Sequence, residues 1–542
     1  MAPKDKSLAG IVAATCLVLA AASLQHHASL LPYTKWLVAA CFLLGLSSLV
    51  PPLLARLAAC LRSYRAPSLR HMPQVPGHPL LGILPQMCNQ GFYDATLTQM
   101  HHAAADHGAS CSWIGTTPIV FVRHPEMIRQ VLVDNGSRTT RLSDDGNGPF
   151  GILARVTGLT VATANGKNWS RLRRGFLRTY YTPAALKTSH HAMVRLAQKH
   201  VAAISHRSQR RNLYHAMEAF ALDSVWHLGL GLDNASDHMA DIGAVMARYG
   251  RLVGSPSHLW RHIVRSLCSG KPVTEPDHVE QSVGNEFDQV LNRILSQNVD
   301  LLRPGNPVGK DSLLQKTSRE SGGTFNKPFT HDVMAQARQL LSLGHEASAL
   351  LLMWAVYELS QQPQVVNRLR QEMVHYGCHS TAPDFDATRA MPYLDAVVAE
   401  ILRLHPPIST TARLATQDIV LQPSRNRDAV LIPRGTLLFA SIHLLHHDQQ
   451  VWGPTANDFM PERWNGLLAN RLENQCRYLP FLAGSRACPS SSFVVLQLKT
   501  MLTTLFAQVD IEIVDRPLIE KQIGGVVRPS VPVCFIARER SL

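Results

Sequence analysis

The residues best placed to do chemistry lie near the C-terminus, in Phe481-Leu-Ala-Gly484-Ser-Arg486-Ala-Cys488-Pro-Ser490. One cysteine closes a tight, glycine-containing loop, and an apolar helix-forming run, Phe493-Val-Val-Leu-Gln-Leu, follows at once. At such a place backbone N–H groups and the helix dipole favour a thiolate. Arg486 adds positive charge there, or neutralises a bound anion. A thiolate so held is a fit axial ligand for heme iron, where it pushes electron density toward O–O cleavage. The competing reading is an ordinary buried thiol, because free cysteine is commonly buried.

With Phe481, Gly484, Arg486 and Cys488 in register, the stretch resembles the heme-binding signature of the cytochrome P450 family, the heme-thiolate monooxygenases. That family usually has glycine two residues after the cysteine. This chain has Ser490, which implies a modest local adjustment. Trp169 and Arg173, at i and i+4, share one helix face and suit a carboxylate such as a heme propionate. They resemble the family's Trp-x-x-x-Arg element, although the spacing alone also describes a surface amphipathic helix.

A long helical run is expected over Thr330 to Gln362, with Thr330 as N-cap and Pro363 past the end. Midway, Leu343-Gly344-His345-Glu346-Ala347-Ser348 resembles the family's oxygen-activation segment, usually Ala-Gly-x-Glu/Asp-Thr-Thr. Gly344 is expected to make room beside a flat cofactor and Glu346 to take part in proton delivery. Leu343 replaces a small residue and should narrow the pocket above the iron. Ala347 stands where the family has a threonine whose hydroxyl serves oxygen activation. Ser348 lies about 100° further round the helix and is not a simple substitute.

Glu400-Ile-Leu-Arg403 puts an ion pair on one face of an apolar helix that ends before Pro406. With Arg463 of Pro461-Glu-Arg-Trp464 it resembles the family's Glu/Arg/Arg triad, which implies a role in folding and heme retention. Arg413 matches a family position that often binds a heme propionate. His446 and His447 are read as surface loop, because the run lacks the spacing of a zinc site.

The positioning elements follow. A chain of 542 residues can bury a large core, and no internal stretch reads as a linker long enough to split it. Ten scattered cysteines argue for a reducing compartment. The formal charge of +14 suits anionic lipid or an acidic protein; the dispersed basic residues with few aromatics among them argue against nucleic acid. Leu8 to Leu24 and Trp36 to Leu54 are uncharged, and each is near the lower limit for spanning about 30 Å of hydrocarbon. Lys4 and Lys6 before them, and Arg56, Arg62, Arg65 and Arg70 after them, place both flanks in the cytosol. One span plus an interfacial segment is the alternative. Residues 1–60 are thus read as a membrane anchor, 61–90 as a proline-rich hinge, and 91–542 as the heme-thiolate domain. Cys111 to Arg123 reads as a hairpin. Ala184 to Leu228 and Asn285 to Leu302 read as helical, Asp418 to Leu421 and Val430 to Ser441 as strands, and Arg303 to Thr330 as a surface loop.

The resemblance implies a mainly α-helical prism with small β-sheets behind an N-terminal transmembrane anchor. It implies heme b with Cys488 as axial ligand, and Trp169, Arg173, Arg413 and Arg486 as propionate candidates. The implied reaction takes O₂ and two electrons from an NADPH-cytochrome P450 reductase, with cytochrome b5 as a further possible partner. One oxygen atom enters an apolar small molecule and the other leaves as water. Leu340, Leu343, Ile408, Thr410 and Val526-Val527 are the pocket candidates. The setting implied is the endoplasmic reticulum membrane with the catalytic domain facing the cytosol, and secondary metabolism as in fungal members. Two alternatives stand beside it: a reductase-independent enzyme rearranging an organic peroxide, and a non-catalytic membrane heme-binding protein.

Overall fold

The computed structural model describes residues 66–540, and Leu57 before them. Excepted are 87–95, 141–148, 259–274, 299–330 and 379–383, and short breaks at 80, 84, 116, 159, 181, 206–208, 233–234, 254–257, 423–427, 468, 515–518 and 524–525. The two apolar stretches read as an anchor, the loop at 303–330 and the N-cap Thr330 lie outside the described residues.

The domain is mainly helical. The helices that carry the argument are α1 Gly166–Tyr180, α2 Pro183–Ser205, α3 Leu213–Leu230, α4 His278–Gln297, α5 His331–Leu343, α6 Glu346–Gln361, α7 Pro392–Leu404 and α8 Ser491–Gln508. At the centre is α6. Every residue from Ser348 to Val356 is buried, so this helix is surrounded rather than one-sided. It packs on α3, α7 and α8, with Trp354, Leu351, Leu352 and Val356 in one core cluster. Each such side chain contributes about 1.5–3 kcal/mol by leaving water. The stretch Ala337–Gln361 is long and apolar enough to cross a membrane, yet most of it is buried inside the domain, as befits a core helix.

Two expected helices are each divided in two. The run through 184–228 is split into α2 and α3 because strand β4 (Arg211–Asn212) intervenes, and Asn212 caps α3 by accepting the His215 N–H at 3.2 Å. The run through 330–362 breaks at Gly344-His345. The Gly344 N–H still reaches Leu340 O at 3.0 Å, and regular bonding resumes with Ala349 N–H on His345 O at 2.9 Å. Helix α4 begins earlier than expected, since Asp277 and Glu280 form a reciprocal capping box.

Among the described residues the largest sheet has the order β1-β2-β8-β5-β3, with β1 Ala109–Ile114, β2 Thr117–Val122, β3 Thr139–Thr140, β5 Thr410–Ala415 and β8 Leu437–Ser441. The β1–β2 hairpin turns at Gly115, whose φ is +56°. Strand β8 joins β2 in parallel, pairing Ile119 with Leu437 across more than 300 positions of sequence. Two small hairpins, β6–β7 (Ile419–Leu421, Val430–Ile432) and β10–β11 (Lys521–Ile523, Val527–Pro529), stand apart from it. Strand β4 pairs with β12 (Cys534–Glu539), which pairs with β9 (Val509–Val514).

The proline-rich stretch is packed against the domain. Leu69 is buried, Val75 N–H donates to Cys111 O at 2.9 Å, and Cys111 N–H donates to Pro73 O at 2.8 Å. A Cβ on Gly82 would lie 1.8 Å from the Trp113 carbonyl oxygen, so only glycine permits this approach. Between Pro73 and Ile83 the stretch bonds along the edge of β1.

Candidate functional site

Cys488 is half-buried between the turn Gly484–Arg486 and the start of α8. Its N–H donates to Phe481 O at 2.8 Å and closes the loop. Gly484 has φ +73°, and a Cβ there would lie 2.1 Å from the carbonyl oxygen of Leu132. Any side chain at 484 would push the loop off the turn Gln130–Asp134. Leu482 also sits in the left-handed region, at φ +62°. A non-glycine residue there costs about 1–3 kcal/mol, so the surrounding packing must hold it. Ser490 has φ −96°, so glycine's freedom is not needed, and its Oγ lies 3.8 Å from Cys488 Sγ.

Helix α1 reaches this loop through two residues one turn apart. Arg173 donates to Ala487 O at 2.8 Å. Trp169 presents its ring to two guanidiniums, with Arg486 4.2 Å and Arg173 5.7 Å from the centroid. Arg486 also donates to Ala164 O at 2.8 Å and to Asn165 Oδ1. Burial lowers the pKa of Arg173, with Cys488 opposing, and the guanidinium stays cationic. Arg413 is buried on β5 and donates to Thr411 Oγ1 and Ala412 O, both at 2.9 Å. A thiol with guanidiniums and an indole beside it is a donor set that fits an iron porphyrin, whose metal takes sulfur and whose carboxylates take cations.

At the α5–α6 break the geometry differs from expectation. A Cβ on Gly344 would lie 2.9 Å from Val225 Cγ1 and 2.4 Å from Leu340 O. The missing side chain therefore lets the break press against α3. Leu343 is 43 % exposed, and Ala347 is partly open while Ser348 is 1 % exposed. Ala347 and Ser348 thus do not share an environment, and the serine hydroxyl lies on the core side. Glu346 pairs with Arg528 of β11. His345 is buried with Nε2 3.9 Å from Glu218; burial lowers its pKa, and Glu218 and Glu346 oppose.

The pocket candidates separate. Leu340 belongs to the core, close enough to Gly229 that a Cβ there would meet it at 2.3 Å. Ile408 is 42 % exposed and bridges to Val526, while Val527 is buried and its carbonyl accepts from Trp354 Nε1 at 3.3 Å. Thr410 opens β5 opposite Ser441.

Glu400, Arg403 and Arg463 meet in the interior. Arg403 donates Nε and Nη2 to the two Glu400 oxygens at 2.8 Å, and Arg463 Nε donates to Oε1 at 3.2 Å. Met460 N–H and Trp464 Nε1 add bonds at 3.1 and 3.0 Å. The carboxylate is fully buried and paired, as such a charge must be. Arg403 Nη1 continues to His446 O at 2.8 Å. His446 is not on a surface loop. It ends the short helix Ile442–His446, is completely buried, and holds the backbone at Arg403 O and Leu479 N–H. Trp464 and His446 had no role in the sequence reading. The indole directly after Arg463 was the available signal for one; nothing local marked the other.

A separate cluster of His258, Asp277 and Glu280 is structural. Both Glu280 oxygens are engaged by Arg155 at 2.8 Å, with His258 Nε2 and the Asp277 N–H completing the set.

The sequence profile described as Cytochrome P450 matches residues 72–536. Secologanin synthase 2 of Catharanthus roseus is 24% identical over 431 residues, 76% of this chain and 76% of its own length. Cytochrome P450 52-M1 of Starmerella bombicola is 25% identical over 415 residues, 72% of this chain and 74% of its own. Cytochrome P450 monooxygenase claP of Ampulloclitocybe clavipes is 27% identical over 341 residues, 58% of this chain and 63% of its own.

Proposed function

The chain belongs to the cytochrome P450 family of heme-thiolate monooxygenases, and from that premise we propose that Cys488 is the axial ligand of a heme b in an enzyme that oxygenates an apolar small molecule. The observation that carries this is the loop itself. Gly484 seats it on the turn at Leu132, and Arg173 fixes the residue before the cysteine. The heme, when bound, supplies O₂ activation by two successive electrons; one oxygen atom enters substrate and the other becomes water.

The chain's own residues then bind, hold and exclude. Trp169, Arg173, Arg413 and Arg486 hold the propionates. Phe481, partly buried against the core, closes the loop by accepting the Cys488 N–H on its carbonyl and limits water there. Leu343, Ile408 and Val526 offer apolar contact to the substrate. Glu346 stands at the helix break as the proton-handling carboxylate, and Arg528 holds it. Glu400, Arg403 and Arg463 keep the fold around the site. The uncharged apolar stretches Leu8 to Leu24 and Trp36 to Leu54, read as a membrane anchor, and the basic net charge support a setting on the cytosolic face of the endoplasmic reticulum, with electrons from an acidic-faced NADPH-cytochrome P450 reductase, aided by cytochrome b5. The claP and 52-M1 relatives support a fungal setting, and secondary metabolism is the role that fits a family member of this kind.

A second reading has one observation in its favour. With alanine at 347 and Glu346 held by Arg528, the chain lacks a free acid–hydroxyl pair at the break, which suits rearrangement of an organic peroxide without reductase. The deciding experiment is the carbon monoxide difference spectrum of the reduced protein, then turnover with NADPH and reductase against turnover with an organic hydroperoxide. The expected result is a thiolate-type band that Cys488→Ala abolishes, with product only when reductase is present. Retention of the Soret band and of product formation in Cys488→Ala would overturn the assignment. Turnover on the hydroperoxide alone would favour the second reading.

A further inference from the structure

A half-buried lysine, Lys521, opens strand β10 of the β10–β11 hairpin. Two-stranded hairpins are marginal in water by themselves, so the position of this one depends on what ties it down. Its second strand is tied by Val527 N–H to Pro407 O at 3.1 Å, by Trp354 Nε1 to Val527 O at 3.3 Å, and by the Arg528–Glu346 pair. Its first strand is tied at Lys521. The Nζ donates to Leu404 O, the last residue of α7, at 3.1 Å and to His447 Nε2 at 3.4 Å.

The groups around Lys521 are arranged for a donor. His447 Nδ1 donates to His443 O at 2.8 Å, which leaves Nε2 as the acceptor facing the ammonium. Trp354 stacks on His405 at 4.5 Å between centroids, and the Lys521 Nζ lies 6.0 Å from the same indole. His405 Nε2 is 2.6 Å from Glu358 Oε1, a carboxylate whose charge acts on Lys521. Burial pulls the Lys521 pKa down to about 8 while Glu358 opposes. An ammonium drawn partly out of water costs stability unless it is hydrogen-bonded, and here its bonds go to α7 and His447.

We infer that Lys521 is a positioning residue for the substrate pocket: by pinning β10 to the end of α7 it sets the height of the Val526–Ile408 bridge, and hence which substrates fit and which of their positions is presented. This rests on Ile408 and Val526 being pocket residues in the function proposed above. The path is short. Lys521 holds Leu404, Pro406 and Pro407 follow α7, and Ile408 pairs directly with Val526. One cation therefore holds both sides of the bridge.

The test uses the full chain with Lys521→Met, which keeps the stem and removes the charge. The first readout is backbone hydrogen exchange across residues 519–530. It should speed up about tenfold or more in the variant, and Lys521→Arg should restore much of the protection. The second readout is the ratio of affinities for 1-phenylimidazole and a bulkier aryl-imidazole, read from the Soret shift. That ratio should change about fivefold or more while the reduced carbon monoxide band stays as in the parent. Unchanged exchange together with an unchanged affinity ratio overturns the inference. If the parent shows no thiolate band, the proposed function fails, and the exchange arm still decides whether Lys521 pins the hairpin. Should Lys521→Met not fold, Lys521→Gln is read in the same two ways.

Discussion

Arg173 on α1 donates to the carbonyl oxygen of Ala487, the residue immediately before Cys488, at 2.8 Å. A guanidinium thus holds the cysteine loop by its backbone, while its neighbour Trp169 carries Arg486 on its ring. A charged donor on a carbonyl contributes about 1.5–3 kcal/mol, reduced here because Arg173 is only partly buried. Arg173→Ala should lower the heme content of the purified protein severalfold and broaden the Soret band. Arg173→Lys should recover only part of it, because lysine lacks the planar fork. Pigment-to-protein ratios on matched preparations are the measurement. Equal ratios in all three proteins would show that the loop does not need α1.

Glu400 accepts from Arg403, Arg463, Trp464 and the Met460 backbone, and is fully buried. Removing the charge from one member leaves the others uncompensated, at a cost of about 3–5 kcal/mol. Glu400→Gln and Arg403→Met should each yield protein that unfolds at clearly lower urea, or none that is soluble. A double change to apolar residues of similar volume should be less damaging than either single one. Additive losses in the double variant would remove the case for a coupled hub.

His446 makes a pH dependence. Its Nε2 accepts the Leu479 N–H at 2.8 Å and its Nδ1 donates to Arg403 O at 3.0 Å, so only the neutral ring fits. Burial and then the charge of Arg403 push its pKa down to about 3. The unfolded chain, with histidine near 6.5, binds the extra proton throughout that window. Stability therefore rises with pH between about 3 and 6.5 and is lost on acidification below about 6.5. Each such group contributes a slope of up to about 1.4 kcal/mol per pH unit. His443, also lowered to about 3 by burial, adds in the same direction. Urea midpoints at about pH 7.5 and about pH 5 should differ less in His446→Gln than in the parent. An unaltered difference would place the acid sensitivity elsewhere.

The cysteine loop, the hairpin at β1–β2 and the helices carrying Trp169 and Glu400 were legible because each has a local signature: a glycine that must be one, an i, i+4 pair, a proline-bounded apolar run. Tertiary demand decided the rest. The close approach of Gly344 to Val225 of α3, more than 100 positions away, leaves no mark beside the glycine in sequence. His446 reads as surface loop because its run lacks the spacing of a zinc site, while its burial comes with partners distant in sequence, Arg403 and Leu479. The parallel pairing of β2 with β8 leaves no mark in either strand. Lys521 is one basic residue among many until Leu404 and His447 are beside it.

The last prediction concerns Ala347. The family's oxygen-activation segment carries a hydroxyl at this position, and here there is none. Ser348 does not replace it, being 1 % exposed on the core side of α6. Glu346 stands at the break with its carboxylate paired to Arg528, so its proton-handling is restrained. A substrate hydroxyl or an ordered water must then complete the path that the restrained Glu346 feeds, and each missed delivery wastes NADPH. A positioned general acid contributes about 10²–10⁴ in rate, but a water that substitutes for one recovers most of it, so the expected gain is small. Ala347→Thr should raise product formed per NADPH by about two- to fivefold on substrates that lack a hydroxyl near the reacting carbon, and by less on those that carry one. Arg528→Gln, which releases Glu346, should act in the same direction and add to it only partly, since both changes serve one proton path. Coupling ratios measured with reductase across several substrates decide this. If Ala347→Thr leaves coupling and rate unchanged on all of them, the hydroxyl has no task here, and Glu346 reaches the site without help.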